Sequence, residues 1–424
     1  MSDLINRRLL LQSGLLGTAL TALPLPAYSQ ARASIMIVGG GFGGATAART
    51  LKRLLPNAQI TLVETNPIFT SCPFSNLVIG GERDLSAQQF RYEALEREGI
   101  TVANVPATDV DADGKNITLD GDSVYAYDRL ILAPGIDIRW NVIEGYDADA
   151  ANILPHAWKA GPQTLLLRRQ LEALDPGQNV VMTVPAAPYR CPPGPYERAS
   201  LIAHYLKAQK PGSKLIILDA KDQFSKMALF QEAWDAHYSD QIEWRGASED
   251  GAVRRVDTGT QTVFSDFESL SARVINVIPP QKAGWIADRA GVADATGWCP
   301  IDPLSFASRL QPDIHVIGDA TIAAPMPKSA FSANLQAKVC AIAVARDLAG
   351  QTPRPTTLAN TCYSYTTPDE AISIAGVYSN AASQLQSVTG AGGVSPPNAD
   401  KAVRTAEAEQ AAHWFETITK EAFG

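Results

Sequence analysis

One stretch of the chain, residues 34–64, constrains the fold more than any other. It reads SIMIVGGGFGGATAARTLKRLLPNAQITLVE. The apolar run at residues 35–38 predicts a buried strand, residues 45–55 have the period of a helix, and residues 59–63 predict a second strand that ends at Glu64. This order of strand, glycine-rich turn, helix and strand is typical of a dinucleotide-binding unit.

The glycines of this stretch have separate roles in such a unit. Gly39 permits the tight turn, Gly41 lets the backbone approach a pyrophosphate, and Gly44 lets the helix pack on the strand. Gly43, between them, is a further candidate for cofactor binding. Unpaired N–H groups at the start of the helix attract phosphate, and Glu64 can accept hydrogen bonds from the adenosine ribose. A glycine-rich turn without a ligand is the open alternative.

Composition narrows the class of function. The 424 residues suffice for two or three domains, and the net charge of −8 argues against a nucleic-acid partner. The five cysteines have no zinc-site spacing, no metal site is expected, and without a C-x-x-C-H motif this chain cannot attach a c-type haem. No apolar run beyond the first residues is long enough to span a bilayer.

Residues 1–31 predict an export signal rather than part of the fold. Arg7 and Arg8 precede an apolar region at 14–23, and small residues follow. This pattern favours the twin-arginine route and a periplasmic location, although an ordinary secretory signal with two incidental arginines is the alternative.

The rest of the chain predicts an α/β fold with two Rossmann-like domains. Residues 32–140 and 266–352 are predicted to form an FAD-binding domain, with a strand that returns at 128–134 to Gly135 and a second strand that runs into Gly318 and Asp319. Asp319 is predicted to hold the ribityl chain of a flavin, and Lys328 is expected to be solvated. Residues 353–424 are interpreted as a C-terminal interface segment with a final helix over 401–415.

Residues 141–265 predict a second Rossmann-like domain without its nucleotide turn. The strand at 179–184, the helix at 199–208 and the strand at 214–218 repeat the same order. The turn between strand and helix holds five prolines at 185–195 instead of the glycine motif, and prolines lack N–H donors. A pyrophosphate is therefore not expected there.

Six segments resemble the flavoprotein subunits of flavocytochrome c sulfide dehydrogenases, within the disulfide reductase superfamily. They are SCPFSN at 71–76, LPHAWKAG at 154–161, RCPPGPYER at 190–198, GWCP at 297–300, HVIGDA at 315–320 and NTCY at 360–363. The resemblance implies FAD bound covalently through Cys72, a redox disulfide between Cys191 and Cys362 beside the flavin, and Glu197 as an acid or base. It also implies that the protein acts in the periplasm, together with a c-type cytochrome subunit that carries the haem c.

The implied chemistry suits these residues. Sulfide is a two-electron donor that can attack a disulfide, leaving a persulfide on one cysteine and a thiolate on the other. Less specific interpretations stay open: Cys72 as a plain buried cysteine, Cys191 and Cys362 as a structural disulfide, and Glu197 as an acid that stabilises a helix dipole. Cys299 and Cys340 are expected in the core.

Four functions compete at this point. The first is sulfide oxidation with single-electron transfer to a c-type cytochrome. A sulfide:quinone reductase would need a membrane-seeking C-terminal face, and the last helix is poor membrane material. An NAD(P)H-dependent disulfide reductase would need a second glycine motif. A flavoprotein with a vestigial site, acting as an assembly subunit, is the fourth.

Overall fold

The computed structural model describes residues 33–424, so the predicted export signal at 1–31 lies outside the described residues. The glycine-rich stretch folds as predicted: β1 is Ser34–Val38, α1 is Phe42–Leu54 and β2 is Gln59–Val63. The two strands pair in parallel, with Ile35 opposite Ile60.

The remainder of the first segment surrounds this unit with short elements. They are β3 (Phe69–Thr70), α2 (Ser75–Gly80), β4 (Gln89–Phe90), α3 (Glu93–Arg97), β5 (Thr101–Ala103), β6 (Ala107–Asp111), β7 (Asn116–Leu119), β8 (Ser123–Ala126), β9 (Arg129–Leu132) and β10 (Ile136–Ile138). The sequence pattern predicts one strand over 100–110. That prediction is wrong, because Pro106, which has no N–H group, stands between β5 and β6.

The second Rossmann-like domain has a parallel sheet of its own. Its elements are α4 (Pro162–Glu172), β11 (Val180–Val184), α5 (Gly194–Gln209), β12 (Leu215–Asp219), α6 (Met227–His237), β13 (Ile242–Arg245), β14 (Arg255–Asp257), β15 (Thr262–Phe264), β16 (Ser269–Ser271) and β17 (Val274–Val277). The strands of the main sheet lie in the order β13-β12-β11-β17, all parallel. The predicted order of strand, helix and strand is confirmed.

The chain then returns to the first sheet. The elements are β18 (Gln281–Ala283), α7 (Ile286–Arg289), β19 (Cys299–Pro300), β20 (Ile314–Val316), β21 (Thr321–Ile322) and α8 (Ala330–Leu348). β20 pairs with β9, which completes a parallel sheet in the order β20-β9-β1-β2-β5. The carboxyl ends of these strands meet at one edge, where a dinucleotide binds in folds of this kind.

The C-terminal segment contains a sheet that the sequence analysis missed. β22 (Thr357–Thr367), β23 (Glu370–Ser379) and β24 (Gln386–Val394) form three antiparallel strands, followed by α9 (Lys401–Phe423). The helix is longer than predicted because its last turns pack on the flavin-binding domain, where Phe423 stacks on Phe69 and Phe90. Among residues 33–424, no helix has the length and apolar character needed to cross a membrane.

Arg49 of α1 fixes the end of α9. Its side chain is 7% exposed and donates to the carbonyl oxygens of Lys420 at 3.0 Å and Glu421 at 2.7 Å, while Glu98 holds its other nitrogens. The Lys420 oxygen also accepts the Gly424 N–H at 3.0 Å, whereas the Glu421 oxygen is one of the last carbonyls, which have no partner within a helix, so the guanidinium satisfies it.

Replacing Arg49 by methionine is expected to lower the free energy of unfolding by about 2 kcal/mol, because the part-buried Glu421 carbonyl and the Glu98 carboxylate lose their donor. Urea unfolding followed by tryptophan fluorescence measures the change. Arg53→Met, on the exposed side of the same helix, is the matched control and should stay within about 0.5 kcal/mol of the unchanged protein. Equal stability of the two variants would contradict this role for Arg49.

Candidate active site

The glycine turn between β1 and α1 is built as the motif requires. A Cβ on Gly39, which has a φ of +101°, would lie 2.2 Å from the Ala133 oxygen, and one on Gly44 would lie 1.8 Å from the Gly39 oxygen. A Cβ on Gly41 or Gly43 would meet only side-chain atoms, at 3.4 Å or more. A side chain at Gly39 or Gly44 would therefore clash with the backbone. At Gly41 the space is open, as the close approach of a pyrophosphate requires.

Glu64 lies beside this turn, at the end of β2. Its Oε2 accepts the N–H of Gly40 at 2.7 Å and its Oε1 accepts the N–H of Asn66 at 2.9 Å. The Tyr92 hydroxyl donates to the Gly40 oxygen at 3.0 Å. The turn and the predicted ribose acceptor are thus held as one unit. Gly135, which follows β9, has a φ of +64° and open space around its Cβ position, so its backbone conformation rather than crowding favours glycine.

Asp319 supplies the observation that tests the site for a flavin. Its Oδ1 is buried and has no hydrogen-bond partner within the part of the chain that the structure describes. An unpaired buried carboxylate oxygen is costly, and a ribityl hydroxyl is a donor of the kind that it lacks. Together with the glycine turn, this carboxylate fits FAD.

Lys328 corrects one expectation from the sequence. It is not solvated: its Nζ donates to the carbonyl oxygens of Asp319 at 2.8 Å and Thr321 at 2.6 Å, and lies 3.8 Å from the centre of the Trp298 ring. Burial lowers the pKa of this amine to about 8. The side chain braces the Gly318–Asp319 corner, because the two carbonyls and the aromatic ring surround its charge.

One cavity brings together the cysteines and the acid that the resemblance singled out. Cys72, Cys191, Glu197 and Cys362 all line it, although they come from the first domain, the second domain and the C-terminal sheet. Aromatic rings form much of the remaining wall: Phe74, Trp158, Phe331, Tyr363, Tyr365 and Trp414. Such a wall surrounds the sulfur atoms with mainly apolar surface.

The structure holds all five cysteines as free thiols, so the disulfide between Cys191 and Cys362 stays a prediction. Cys191 has a φ of +55°, its N–H donates to the Lys328 oxygen at 2.9 Å, and its sulfur would lie 3.0 Å from a Cβ on Gly194. Burial and the neighbouring Cys362 raise the pKa of the Cys191 thiol. Both thiols belong to the wall of the same cavity.

The other three cysteines lie in different surroundings. The Cys72 sulfur lies 3.8 Å from the Trp158 oxygen at the cavity wall. Cys299 and Cys340 are fully buried in the core, as expected, and neither lines the cavity. The described residues contain no cluster of side chains suited to a metal ion.

Glu197 lies in the first turn of α5 and is fully engaged. Its Oε1 accepts the Tyr365 N–H at 2.9 Å and its Oε2 accepts the Asn76 side-chain amide at 2.6 Å. Burial raises the pKa of this carboxyl, against the effect of both donors. Its partners lie across two other segments, so Glu197 does more than stabilise its own helix.

Lys226 is a cavity neighbour that sequence analysis missed. Its side chain is buried, and its Nζ donates to Ser364 Oγ at 2.8 Å and to the carbonyl oxygens of Cys362 and Ile372, each at 3.2 Å. Burial lowers its pKa to about 8, while Cys362 and Glu197 act in the opposite direction. No local pattern marks this lysine, because its partners come from β22 and β23.

The acid at the end of β12 in the second domain is already hydrogen-bonded within that domain. Asp219, at the end of β12, is fully buried and accepts from the Tyr196 hydroxyl at 2.6 Å and the Trp244 indole at 3.1 Å, with Lys221 Nζ at 2.6 Å. Phe224 stacks on Tyr196 with ring centres 3.6 Å apart. The carboxylate that would bind a ribose in a nicotinamide domain is therefore already occupied.

Three protein-family models match this chain. Residues 164–279 match the family model "Sulfide dehydrogenase [flavocytochrome c] flavoprotein chain, central", and residues 354–423 match "Flavocytochrome c sulphide dehydrogenase, flavin-binding". Residues 33–161 match "Pyridine nucleotide-disulphide oxidoreductase". The first two models cover the proline-rich turn and the C-terminal sheet, which carry Cys191 and Cys362.

Several individual proteins are similar. The sulfide dehydrogenase [flavocytochrome c] flavoprotein chain of Chlorobaculum thiosulfatiphilum is 52% identical over 44 residues, which are 10% of this chain and 92% of that sequence. Mouse mitochondrial sulfide:quinone oxidoreductase is 23% identical over 309 residues, 68% of this chain. The match spans 65% of the mouse protein, and a match to the sulfide-quinone reductase of Aquifex aeolicus spans 38% of that protein, so each covers less than two thirds of the relative.

Solved structures support the fold. The sulfide:quinone oxidoreductase of Aquifex aeolicus superimposes with a TM-score of 0.73 at 16% identity, over 92% of each chain. Putidaredoxin reductase, in its covalent complex with putidaredoxin, gives 0.64 at 17% identity, over 92% of this chain and 93% of that one. The predicted α/β fold with two Rossmann-like domains is thereby confirmed.

Proposed function

Because the chain belongs to the family of flavocytochrome c sulfide dehydrogenase flavoprotein chains, we propose that it oxidises sulfide through Cys191 and Cys362 and passes the electrons, by way of FAD, to a c-type cytochrome subunit. The observation that carries the proposal is the single cavity lined by Cys72, Cys191, Glu197 and Cys362. The cytochrome partner holds the haem c, and the periplasm is the proposed location.

The residues of the cavity have distinct tasks in this proposal. Cys191 and Cys362 form the bond that hydrosulfide attacks, the aromatic wall excludes water, and the ammonium of Lys226 offsets negative charge on the sulfurs. Glu197, whose pKa is raised by burial, is the acid or base beside the pair. The glycine turn, Glu64 and Asp319 hold FAD. Bound FAD accepts two electrons and can release them one at a time.

Covalent attachment through Cys72 predicts that the flavin stays with the denatured polypeptide. Cys72→Ser is expected to release essentially all of its flavin on acid denaturation, because an alcohol cannot form the thioether, whereas Cys299→Ser should retain it. Absorbance of the precipitated protein and of the supernatant measures the difference. Complete release from the unchanged protein would show noncovalent binding.

The acceptor is tested by supplying sulfide together with either a c-type cytochrome or a soluble ubiquinone analogue. We expect reduction of the cytochrome haem and negligible quinone reduction. Preferential quinone reduction would favour the alternative, a sulfide:quinone reductase, which the mouse and Aquifex relatives make the second candidate.

NADH provides a separate test of the second domain. Since Asp219 is occupied and the turn before α5 is rich in proline, NADH is expected to leave the flavin oxidised under anaerobic conditions. Bleaching by NADH at a rate similar to that with sulfide would instead support an NAD(P)H-dependent disulfide reductase.

A further inference from the structure

We propose that Asn360 makes Cys362, rather than Cys191, the sulfur that carries the negative charge when the bond between them opens. The inference rests on the proposed function and deepens it, because it assigns which cysteine hydrosulfide attacks.

The contact that carries the proposal is short and buried. Asn360 Nδ2 donates to Cys362 Sγ at 3.2 Å, and the asparagine is 2% exposed. The two residues are two positions apart on β22, so their side chains lie on the same face. Pairing with β23 fixes their backbone, with Asn360 opposite Gly376 and Cys362 opposite Ile374.

Two hydroxyl groups set the direction of the amide. Asn360 Oδ1 accepts from Ser329 Oγ at 2.5 Å and from Ser332 Oγ at 3.1 Å. Ser329 Oγ also accepts the Ser332 N–H at 3.0 Å as the cap of α8, and the asparagine oxygen at 2.5 Å is one acceptor for its own hydrogen, beside Ser332 Oγ and the Cys362 sulfur. With its oxygen engaged, the amide turns its N–H group towards the sulfur.

Cys191 lacks this support. Within residues 33–424 no side-chain donor bonds its sulfur, which packs against Gly194. The titratable groups that interact with Cys362 are Lys226, Glu197, Cys191 and Tyr378, and Lys226 Nζ contacts the Cys362 carbonyl. Burial raises the pKa of the Cys362 thiol, and the hydrogen bonds from Asn360 and Ser329 oppose that rise. A hydrogen bond from a neutral donor to an ionised sulfur is stronger than one to a thiol, so the amide favours the thiolate at Cys362.

The chemical step follows from this asymmetry. Hydrosulfide attacks the Cys191 sulfur, the bond between Cys191 and Cys362 breaks, and its electron pair leaves on Cys362. The products are a Cys191 persulfide, which keeps the hydrosulfide proton, and a Cys362 thiolate. The better-stabilised thiolate is the better leaving group, which directs attack to Cys191.

The test compares both cysteines in one sample. The anaerobically reduced holoprotein is pulse-labelled with iodoacetamide from about pH 6 to about pH 10, and labelling at each cysteine is read by peptide mass spectrometry. Cys362 is expected to react at lower pH than Cys191. Asn360→Ala should move the Cys362 profile to higher pH and slow its labelling at neutral pH about tenfold, without moving the Cys191 profile.

Further variants fix the sign of the effect. Asn360→Asp should shift the Cys362 profile to still higher pH. Ser332→Ala removes one of the hydroxyls that orient the amide and should give a smaller shift. Ser332→Ala is the variant to use if Asn360→Ala does not fold. An unchanged profile, a downward shift or a more acidic Cys191 overturns the proposal. Sulfide titration of the unchanged protein separates the two claims: bleaching with no shift rejects Asn360 alone, whereas no bleaching rejects the proposed function.

Discussion

Replacing Cys191 by serine is expected to slow sulfide-driven reduction of the flavin at least about a thousandfold. A serine hydroxyl cannot form the bond that hydrosulfide attacks, and no other cysteine of the cavity wall is free to replace it if Cys72 holds the flavin. Anaerobic stopped-flow absorbance at the flavin band measures the rate. Cys362→Ser should have the same effect for the same reason.

The matched control is Cys340→Ala, a buried cysteine of α8 outside the cavity, which should reduce its flavin at the rate of the unchanged protein. The double variant of Cys191 and Cys362 should be no slower than either single variant, because two residues that act as one unit lose their function together. Additive losses, or rapid bleaching in Cys191→Ser, would falsify the paired mechanism.

Arg198→Met carries the largest expected loss of stability, about 3–5 kcal/mol in the free energy of unfolding. Arg198 is 2% exposed and donates to Asn76 Oδ1 at 3.0 Å, Asn276 Oδ1 at 2.9 Å, and the carbonyl oxygens of His156 and Ala157 at 3.0 and 2.6 Å. Methionine fills similar space but leaves three buried acceptors without a donor, because only the His156 oxygen keeps another, Asn276 Nδ2 at 3.0 Å.

This loss reaches the active site as well as the fold. Asn76, oriented by Arg198, donates to Glu197, and the carbonyls of residues 156–157 precede Trp158 of the cavity wall. Urea unfolding gives the stability, with the exposed Arg169→Met of α4 as control within about 0.5 kcal/mol. If the two variants are equally stable, the hydrogen bonds of Arg198 do not stabilise the fold.

Local patterns are the source of the prediction for the flavin-binding half of the site. The glycine turn, Glu64 and the Gly318–Asp319 corner each follow from a few consecutive residues, since turn geometry and strand period are properties of neighbours along the chain. The second Rossmann-like domain was predicted for the same reason, from its strand and helix order.

Contacts between segments that are distant in sequence were not predicted. Burial of Lys328 depends on Trp298 and two carbonyls after β20, and Lys226 depends on β22 and β23. The C-terminal sheet was missed because β24 is rich in glycine and mostly exposed, without the alternation of a half-buried strand. The pairing of Cys191 with Cys362 came from resemblance alone, since their spacing carries no signal.

Anaerobic titration of the flavin-loaded protein with sulfide tests the central claim most directly. If electrons from sulfide enter through Cys191 and Cys362, the absorbance of the oxidised flavin disappears with about one equivalent of sulfide per flavin, because each is a two-electron carrier. A flavin band that persists in excess sulfide, yet disappears with dithionite, would contradict the account.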